Sequence, residues 1–244
     1  MVGHSPLKAG ILVRIQVPQL NVMEYPIRIN KYLRNMELAS RREADKLVEA
    51  GLVFVNGKRA ENGTMVNEKD TVKIKGPKKE YQYLAYYKPR NLPTQDLPGK
   101  ESVITNWKEK GLYPIGRLDK SSEGLLLLTN DGRFARSVLA DSTRYEKEYL
   151  VTVKEPLRVG IVKIFKEGME TQALGKLLPA KSRIINNSKI QIILTEGRHH
   201  QIRVMLSELG YTINSLKRIR IGDIKIGTLK PGETRYIKSH TTKP

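Results

Sequence analysis

A carboxylate set among cations is the feature of this sequence best equipped for chemistry. Asp119 lies in the segment Gly116-Arg117-Leu118-Asp119-Lys120-Ser121-Ser122-Glu123-Gly124, a polar loop just ahead of the apolar run from Leu125 to Thr129. Loops carried on a rigid sheet are frequent homes of reactive groups. Arg117 stands two residues away, and Arg203 lies in a distant basic segment. A guanidinium beside a carboxylate keeps it ionised and fixes its orientation, and only the anion is a nucleophile. A structural ion pair produces the same pattern, and spacing alone favours that plainer reading.

Three further groups have the right types. Lys147-Glu148-Tyr149 opens a β-rich stretch, so Lys147 and Tyr149 share a face at period two. A tyrosine there can stack on a base and act as acid or base, or pack into the core. Glu196-Gly197-Arg198-His199-His200-Gln201-Ile202-Arg203 leads into a helix, and a basic helix start suits phosphate. Lys88-Pro89-Arg90 is a basic turn that suits phosphate equally, or a solvated charge cluster. The four histidines lack zinc-protease spacing and there are no cysteines, so no metal site, disulfide or thiolate nucleophile is expected.

Charge points to the partner. Lys and Arg number 44 against 25 Asp and Glu, a net charge of +19. Such a chain attracts polyanions, nucleic acid first. An anionic membrane surface is the alternative, but no apolar run is long enough to span one. The first 22 residues hold an apolar stretch, Ile11 to Val17, that Arg14 interrupts, so no signal peptide is read. Residues 1–80 carry 15 basic and 9 acidic side chains and residues 81–244 carry 29 and 16, so both parts are basic.

The elements that must position these groups fall into two domains. Residues 1–26 read as an N-terminal extension and residues 27–75 as a small first domain. There Ile29, Leu33 and Met36 recur at helical spacing, and Ser40-Arg41-Arg42-Glu43 is a capping box opening a second helix. Asn56-Gly57 between extended segments predicts a type I′ hairpin. Gly76 to Glu80 is a polar linker with two breakers. Residues 81–240 mix strands and helices. Strands are expected at 83–87, 125–129, 149–153 and 190–194. Asp131 caps a helix carrying Phe134, Val138 and Leu139, and residues 159–165 form another. Ile202, Met205, Leu206 and Leu209 mark a helix that Gly210 ends, and Gly222-Asp223 turns a closing hairpin. The expected class is α+β, with a largely antiparallel sheet and helices packed on it.

Taken together, Gly116-Arg117-Leu118-Asp119 with Gly124-Leu125-Leu126-Leu127-Leu128-Thr129-Asn130-Asp131-Gly132 resembles the signature of bacterial ribosomal RNA pseudouridine synthases. The group is that of RsuA, RluB, RluE and RluF, and the RluF branch is the most similar. Lys88-Pro89, Lys147-Glu148-Tyr149, Glu196-Gly197-Arg198, Gln201-Ile202-Arg203 and Arg220-Ile221-Gly222 match as well. Residues 27–75 resemble an S4 RNA-binding domain, through Arg28-Ile29-Asn30-Lys31-Tyr32-Leu33 and Ser40-Arg41-Arg42-Glu43-Ala44. Asn91 replaces the glycine usual after Lys-Pro, and His199-His200 departs from the Asn-Arg or Asn-Lys pair common in the group.

The resemblance implies isomerisation of a flipped-out uridine. The N1–C1′ bond breaks, the uracil turns, and a C5–C1′ bond forms, with no cofactor. Asp119, Tyr149 and Arg203 are then the catalytic residues, Arg203 pairing with Asp119. Arg117, Lys147, Ile202, Lys88 and Arg198 bind substrate. Arg28, Lys31, Arg41, Arg42 and Lys58 hold RNA through the S4 domain. The implied partner is rRNA, 23S ahead of 16S, with tRNA as a further candidate, for a cytoplasmic monomer. A non-catalytic S4-type RNA-binding or ribosome-assembly protein would explain the charge but not the Asp, Tyr and Arg motifs. A glycosidase-like hydrolase would need a second carboxylate, for which Glu123 is a poor candidate.

Overall fold

The chain is described by a computed structural model over residues 23–36, 38–76, 80–96 and 98–237. The extension before residue 23, the centre of the expected linker at 77–79 and the chain end after 237 lie outside it. The described residues form two compact units, divided after Lys75.

The first unit runs β1 (Ile27–Arg28), α1 (Ile29–Asn35), α2 (Arg41–Glu49), β2 (Val53–Val55), β3 (Lys58–Arg59), β4 (Met65–Val66) and β5 (Val72–Ile74). Ile29 and Leu33, one turn apart, and Ala44 and Val48 on α2 are buried in one apolar cluster. Met36, expected on that face, is exposed because α1 has already ended at Asn35. The Ser40–Glu43 capping box forms in both directions, satisfying two of the orphan amides that open any helix. At the other end of α2 the Arg59 guanidinium donates to the Ala50 and Gly51 carbonyls. Asn56 and Gly57 both take positive φ, as a type I′ turn requires, and the turn sets Val55 opposite Lys58.

The second unit runs β6 (Tyr83–Lys88), α3 (Val103–Lys108), β7 (Tyr113–Ile115), β8 (Glu123–Thr129), α4 (Gly132–Ala140), β9 (Lys147–Val153), α5 (Gly160–Glu167), β10 (Glu170–Thr171), β11 (Gly175–Lys176), β12 (Lys181–Asn186), β13 (Lys189–Leu194), α6 (Gln201–Glu208), β14 (Ile213–Ile221), β15 (Ile224–Lys225) and β16 (Thr234–Tyr236). One sheet carries it, in the order β12-β13-β9-β14-β8-β6-β16, with β7 on β8 and β15 on β14. Its pairings are antiparallel except β14 with β8, so the α+β, largely antiparallel expectation describes the fold. Asp131 caps α4 through the Arg133 amide. Phe134 and Val138 are buried, but Leu139, expected beside them, is 58% exposed. The Gly222-Asp223 hairpin joins β14 to β15, and β16 then returns to pair with β6.

The edge of β8 opposite β6 is shared. β14 pairs there only at Glu123 and Gly124; β7 takes the far end, at Leu127 to Thr129. The loop 116–122 leaves β7 and enters β8 where the two neighbours part. Gly124, Arg218 and Tyr149 stand in register across β8, β14 and β9. The strands meet closely at Gly124, where a Cβ would lie 2.3 Å from the Arg218 carbonyl oxygen. Its φ of +107° excludes an L side chain as well. Gly124→Ala should therefore destabilise the unit by roughly 3 kcal/mol, as overpacking does at close contacts. Denaturant unfolding checks this, and an unchanged midpoint would show that β14 shifts freely against β8.

Candidate active site

The loop bearing Asp119 is fixed carbonyl by carbonyl. The Thr94 hydroxyl, itself buried, donates to Leu118 O at 2.6 Å and accepts from Leu118 N at 3.1 Å. Arg218 Nη1 donates to Arg117 O at 3.3 Å, Asn91 N to Lys120 O at 2.7 Å, and Ser122 N to Asp119 O at 3.0 Å. Four successive residues thus have their main chain anchored, three of them by groups from outside the loop. Fixing the backbone on both sides of a reactive group limits where its side chain can go.

Asp119 meets a guanidinium from α6 and an imidazole from its start. Arg203 Nε lies 3.4 Å from one carboxylate oxygen, and His200 Nε2 lies 3.4 Å from the other. Arg203 also donates to the Ser122 hydroxyl at 2.8 Å, so its fork spans the loop. His200 reaches the carboxylate from a left-handed backbone, φ 55, at the N-cap of α6. Arg117, expected beside Asp119 because it is near in sequence, points elsewhere. Its exposed side chain makes no hydrogen bond or ion pair among the described residues. It is free to meet a ligand instead.

A cavity of about 350 Å³ surrounds these groups, lined by Arg117, Asp119, Arg198 and Arg203. Lys147 and Tyr149, two residues apart on β9, both line it, as do Ile202 and Arg218. Burial, then the charge of Arg218, pushes the Lys147 ammonium below its ordinary range. The Tyr149 ring belongs to the core and also lines the cavity, so packing into the core does not take it out of a ligand's reach. Its hydroxyl makes no hydrogen bond among the described residues. Arg198 is exposed and tied to Glu196 at 3.3 Å, which leaves part of its fork for a ligand. The cavity thus holds far more positive than negative charge.

Lys88 does not belong to that lining. Read from sequence as a phosphate contact, it is fully buried. Its ammonium donates to Leu92 O at 2.6 Å, Pro89 O at 2.8 Å and Lys120 O at 3.5 Å, which uses all three of its protons. It is a pin between the turn 89–92 and the Asp119 loop. Burial chiefly, with Arg218 adding to it, lowers its pKa to about 8 against the pull of Asp119 and Glu123.

Sequence reasoning missed Thr94, Ser122 and Arg218. Arg218 is 5% exposed, and its Nε donates to Leu125 O at 2.7 Å. That carbonyl lies just past the last β14–β8 pair. The guanidinium thus continues the ladder that the main chain has left. One donor atom from each of Asp119, His199 and His200 lies within 4.8 Å of the others, and the two imidazoles are stacked. These donors are of types that could hold a divalent metal, and a metal there would engage Asp119 itself. In the first unit Arg28, Lys31, Arg41, Arg42 and Lys58 are exposed without a side-chain partner among the described residues. Arg41 and Arg42 occupy the first turn of α2, where the helix dipole disfavours cations, so the stability of the unit does not account for them.

Residues 82–208 match the family model described as RNA pseudouridylate synthase, and residues 27–72 match the S4 domain. The dual-specificity RNA pseudouridine synthase RluF of Escherichia coli is 35% identical over 86% of this chain and 74% of its own length. The ribosomal large subunit pseudouridine synthase B of Bacillus subtilis is 34% identical over 88% of this chain and 94% of its own. A crystal structure titled pseudouridylate synthase superposes with a TM-score of 0.64 at 26% identity, covering 87% of this chain and 96% of that one.

The buried ammonium has a consequence for stability. Unfolded, Lys88 titrates near 10.5; folded, near 8. Below pH 8 it is charged in both states and the folded state bears the full penalty. Between about 8 and 10.5 the unfolded state binds more protons, so folding stability gains as pH rises. Unfolding of the parent and of Lys88→Met, measured from pH 7 to 10.5, should show the parent gaining on the variant by up to roughly 3 kcal/mol. A difference independent of pH would mean that the three carbonyls hold the ammonium at its ordinary pKa.

Proposed function

The chain belongs to the RNA pseudouridylate synthase family, and on that premise we propose that it isomerises a specific uridine of ribosomal RNA with Asp119 as the catalytic carboxylate. The observation that carries this is the setting of Asp119: the one carboxylate on the wall of its cavity, on an anchored loop, among the cations Arg117, Lys147, Arg198, Arg203 and Arg218. A carboxylate gripped by a guanidinium keeps a fixed direction, which suits a group that must engage the sugar carbon of a flipped-out nucleotide. The reaction exchanges the N1–C1′ bond for a C5–C1′ bond within one nucleotide. The proton lost from C5 is balanced by one gained at N1, so no redox partner enters.

Each neighbour takes a part. Arg203 and His200 hold the two carboxylate oxygens and set their direction. Tyr149, with its ring in the core and its hydroxyl unengaged, stacks on the uracil and moves the C5 proton. Ile202 walls the base. Arg117 is the free cation best suited to fill the space the flipped base vacates or to hold its phosphate, and Lys147 and Arg198 add phosphate contacts. Extruding a base costs a few kcal/mol, which phosphate contacts offset. The S4 domain holds the RNA through Arg28, Lys31, Arg41, Arg42 and Lys58, by backbone and shape. The name of one relative refers to the ribosomal large subunit and that of another to dual specificity; the first supports 23S rRNA as the substrate, the second leaves room for a further RNA, for which tRNA is the candidate. A cytoplasmic monomer fits this work, and no helix among the described residues is long and apolar enough to cross a membrane.

Ribosomal RNA labelled with tritium at uridine C5 tests the assignment, because isomerisation releases the label. The parent should release it, and Asp119→Asn should release essentially none while still binding RNA. Release by both removes Asp119 from catalysis; binding without release by either favours a non-catalytic RNA-binding protein. RNA affinity should fall about tenfold or more between 50 and 200 mM salt, as several phosphate contacts require. A flat titration would contradict the phosphate contacts.

A further inference from the structure

A second cavity, of about 550 Å³, opens in the same unit and shares no lining residue with the first. Its aromatic side is Trp107, set edge-on against Tyr86 with ring centroids 5.7 Å apart. Tyr86 is buried, whereas Trp107 keeps part of its indole exposed. Lys110 Nζ lies 4.6 Å over that ring. The turn carrying Arg90 and Asn91 also lines the cavity. Arg90 is exposed and makes no hydrogen bond or ion pair among the described residues. Asn91 takes a φ of 70°, a backbone that glycine adopts freely, and so adds an amide to the wall. Asn106 donates to Glu101 at 2.8 Å, which leaves the Asn106 carbonyl free as a polar edge.

Arg90, Lys110 over the indole face, the half-exposed indole itself and the amide edges make a specific set of complements, with Glu101, held by Asn106, the one carboxylate on the wall. A free phosphate has no use for the indole, and an apolar ligand has none for the cations. A nucleotide uses all of them: its base stacks on an aromatic face and its phosphate takes the arginine and lysine. Resting on the reading that this chain acts on RNA, we propose that this cavity is a second nucleotide site. It takes one unpaired nucleotide of the substrate RNA, with the base against Trp107 and the phosphate between Arg90 and Lys110. As the phosphate draws Lys110 aside, the indole face it covers becomes available to the base.

The site is mechanically tied to the first. Asn91 N donates to Lys120 O, beside Asp119, and the Lys88 ammonium holds the turn 89–92 and Lys120 together. A nucleotide held on that turn is therefore held at a fixed offset from the catalytic carboxylate. It acts as a second point of registration for the RNA strand.

Trp107 is the single tryptophan of the chain, so its fluorescence reports on this cavity. The whole protein is titrated with a five-residue oligoadenylate, with inorganic phosphate as the control. The oligonucleotide should quench the emission saturably, and phosphate alone should not. The double variant Arg90→Ala, Lys110→Ala should raise the midpoint about tenfold, the loss expected for two phosphate contacts. Asp119→Asn should leave the curve in place. No saturable quenching, equal quenching by phosphate, or an unmoved midpoint in the double variant would each overturn the proposal. Because Asp119→Asn is silent here and decisive in the tritium assay, failure of the catalytic assignment and failure of this site are separable.

Discussion

One strand edge with too few main-chain partners organises the site. β14 lies beside β8 for two residues and then departs, and β7 reaches β8 only from Leu127 onward. A buried carbonyl left between them would be costly. The Arg218 guanidinium fills the gap, bonding Leu125 O and, with its next nitrogen, Arg117 O. The same group that completes the sheet thus anchors the loop that presents Asp119. Gly124 is the condition for this arrangement, since a side chain there would push β14 away. Geometry at the carboxylate is therefore inherited from sheet packing.

Charge follows the same division between framework and cavity. Lys88 and Arg218 are buried cations whose hydrogen bonds go to main-chain carbonyls, where they serve as fasteners. Arg117, Arg198, His199 and His200 are exposed around the cavity. Arg203 stands between the groups, half-buried and bonded to both the carboxylate and Ser122. The polar groups around Asp119 thus divide into a buried set that holds the framework and an exposed set that a polyanion can reach.

Much of this was legible before any coordinates. The capping box at Ser40, the type I′ turn and the helix ending at Gly210 follow local rules that tertiary packing left alone. Lys147 and Tyr149 came together because strand periodicity puts them on one face. Local rules failed where contacts are distant in sequence. Lys88 reads as a solvated charge because nothing near it reveals its burial. Thr94 and Ser122 matter through single hydrogen bonds to a loop, and such bonds leave no periodic trace. α3 escapes a sequence reading although Ser102 and Thr105 form a reciprocal cap; threonine in place of the usual Glu or Gln hides the pattern. Arg117 misled in the opposite sense, since nearness along the chain did not become contact.

The left-handed backbone at His200 limits what evolution can do at that position. Few residues tolerate such a conformation: glycine freely, and asparagine, aspartate and histidine more readily than most. Among these, exchange alters the charge facing Asp119 while the helix start stays where it is. Histidine can supply a cation, asparagine a neutral dipole, aspartate a competing anion, and glycine an open space for water. The position therefore works as a tuning dial on the carboxylate, with a handful of settings and no mechanical cost in turning it. Descendants of this chain can retune their reactivity there without rebuilding the scaffold.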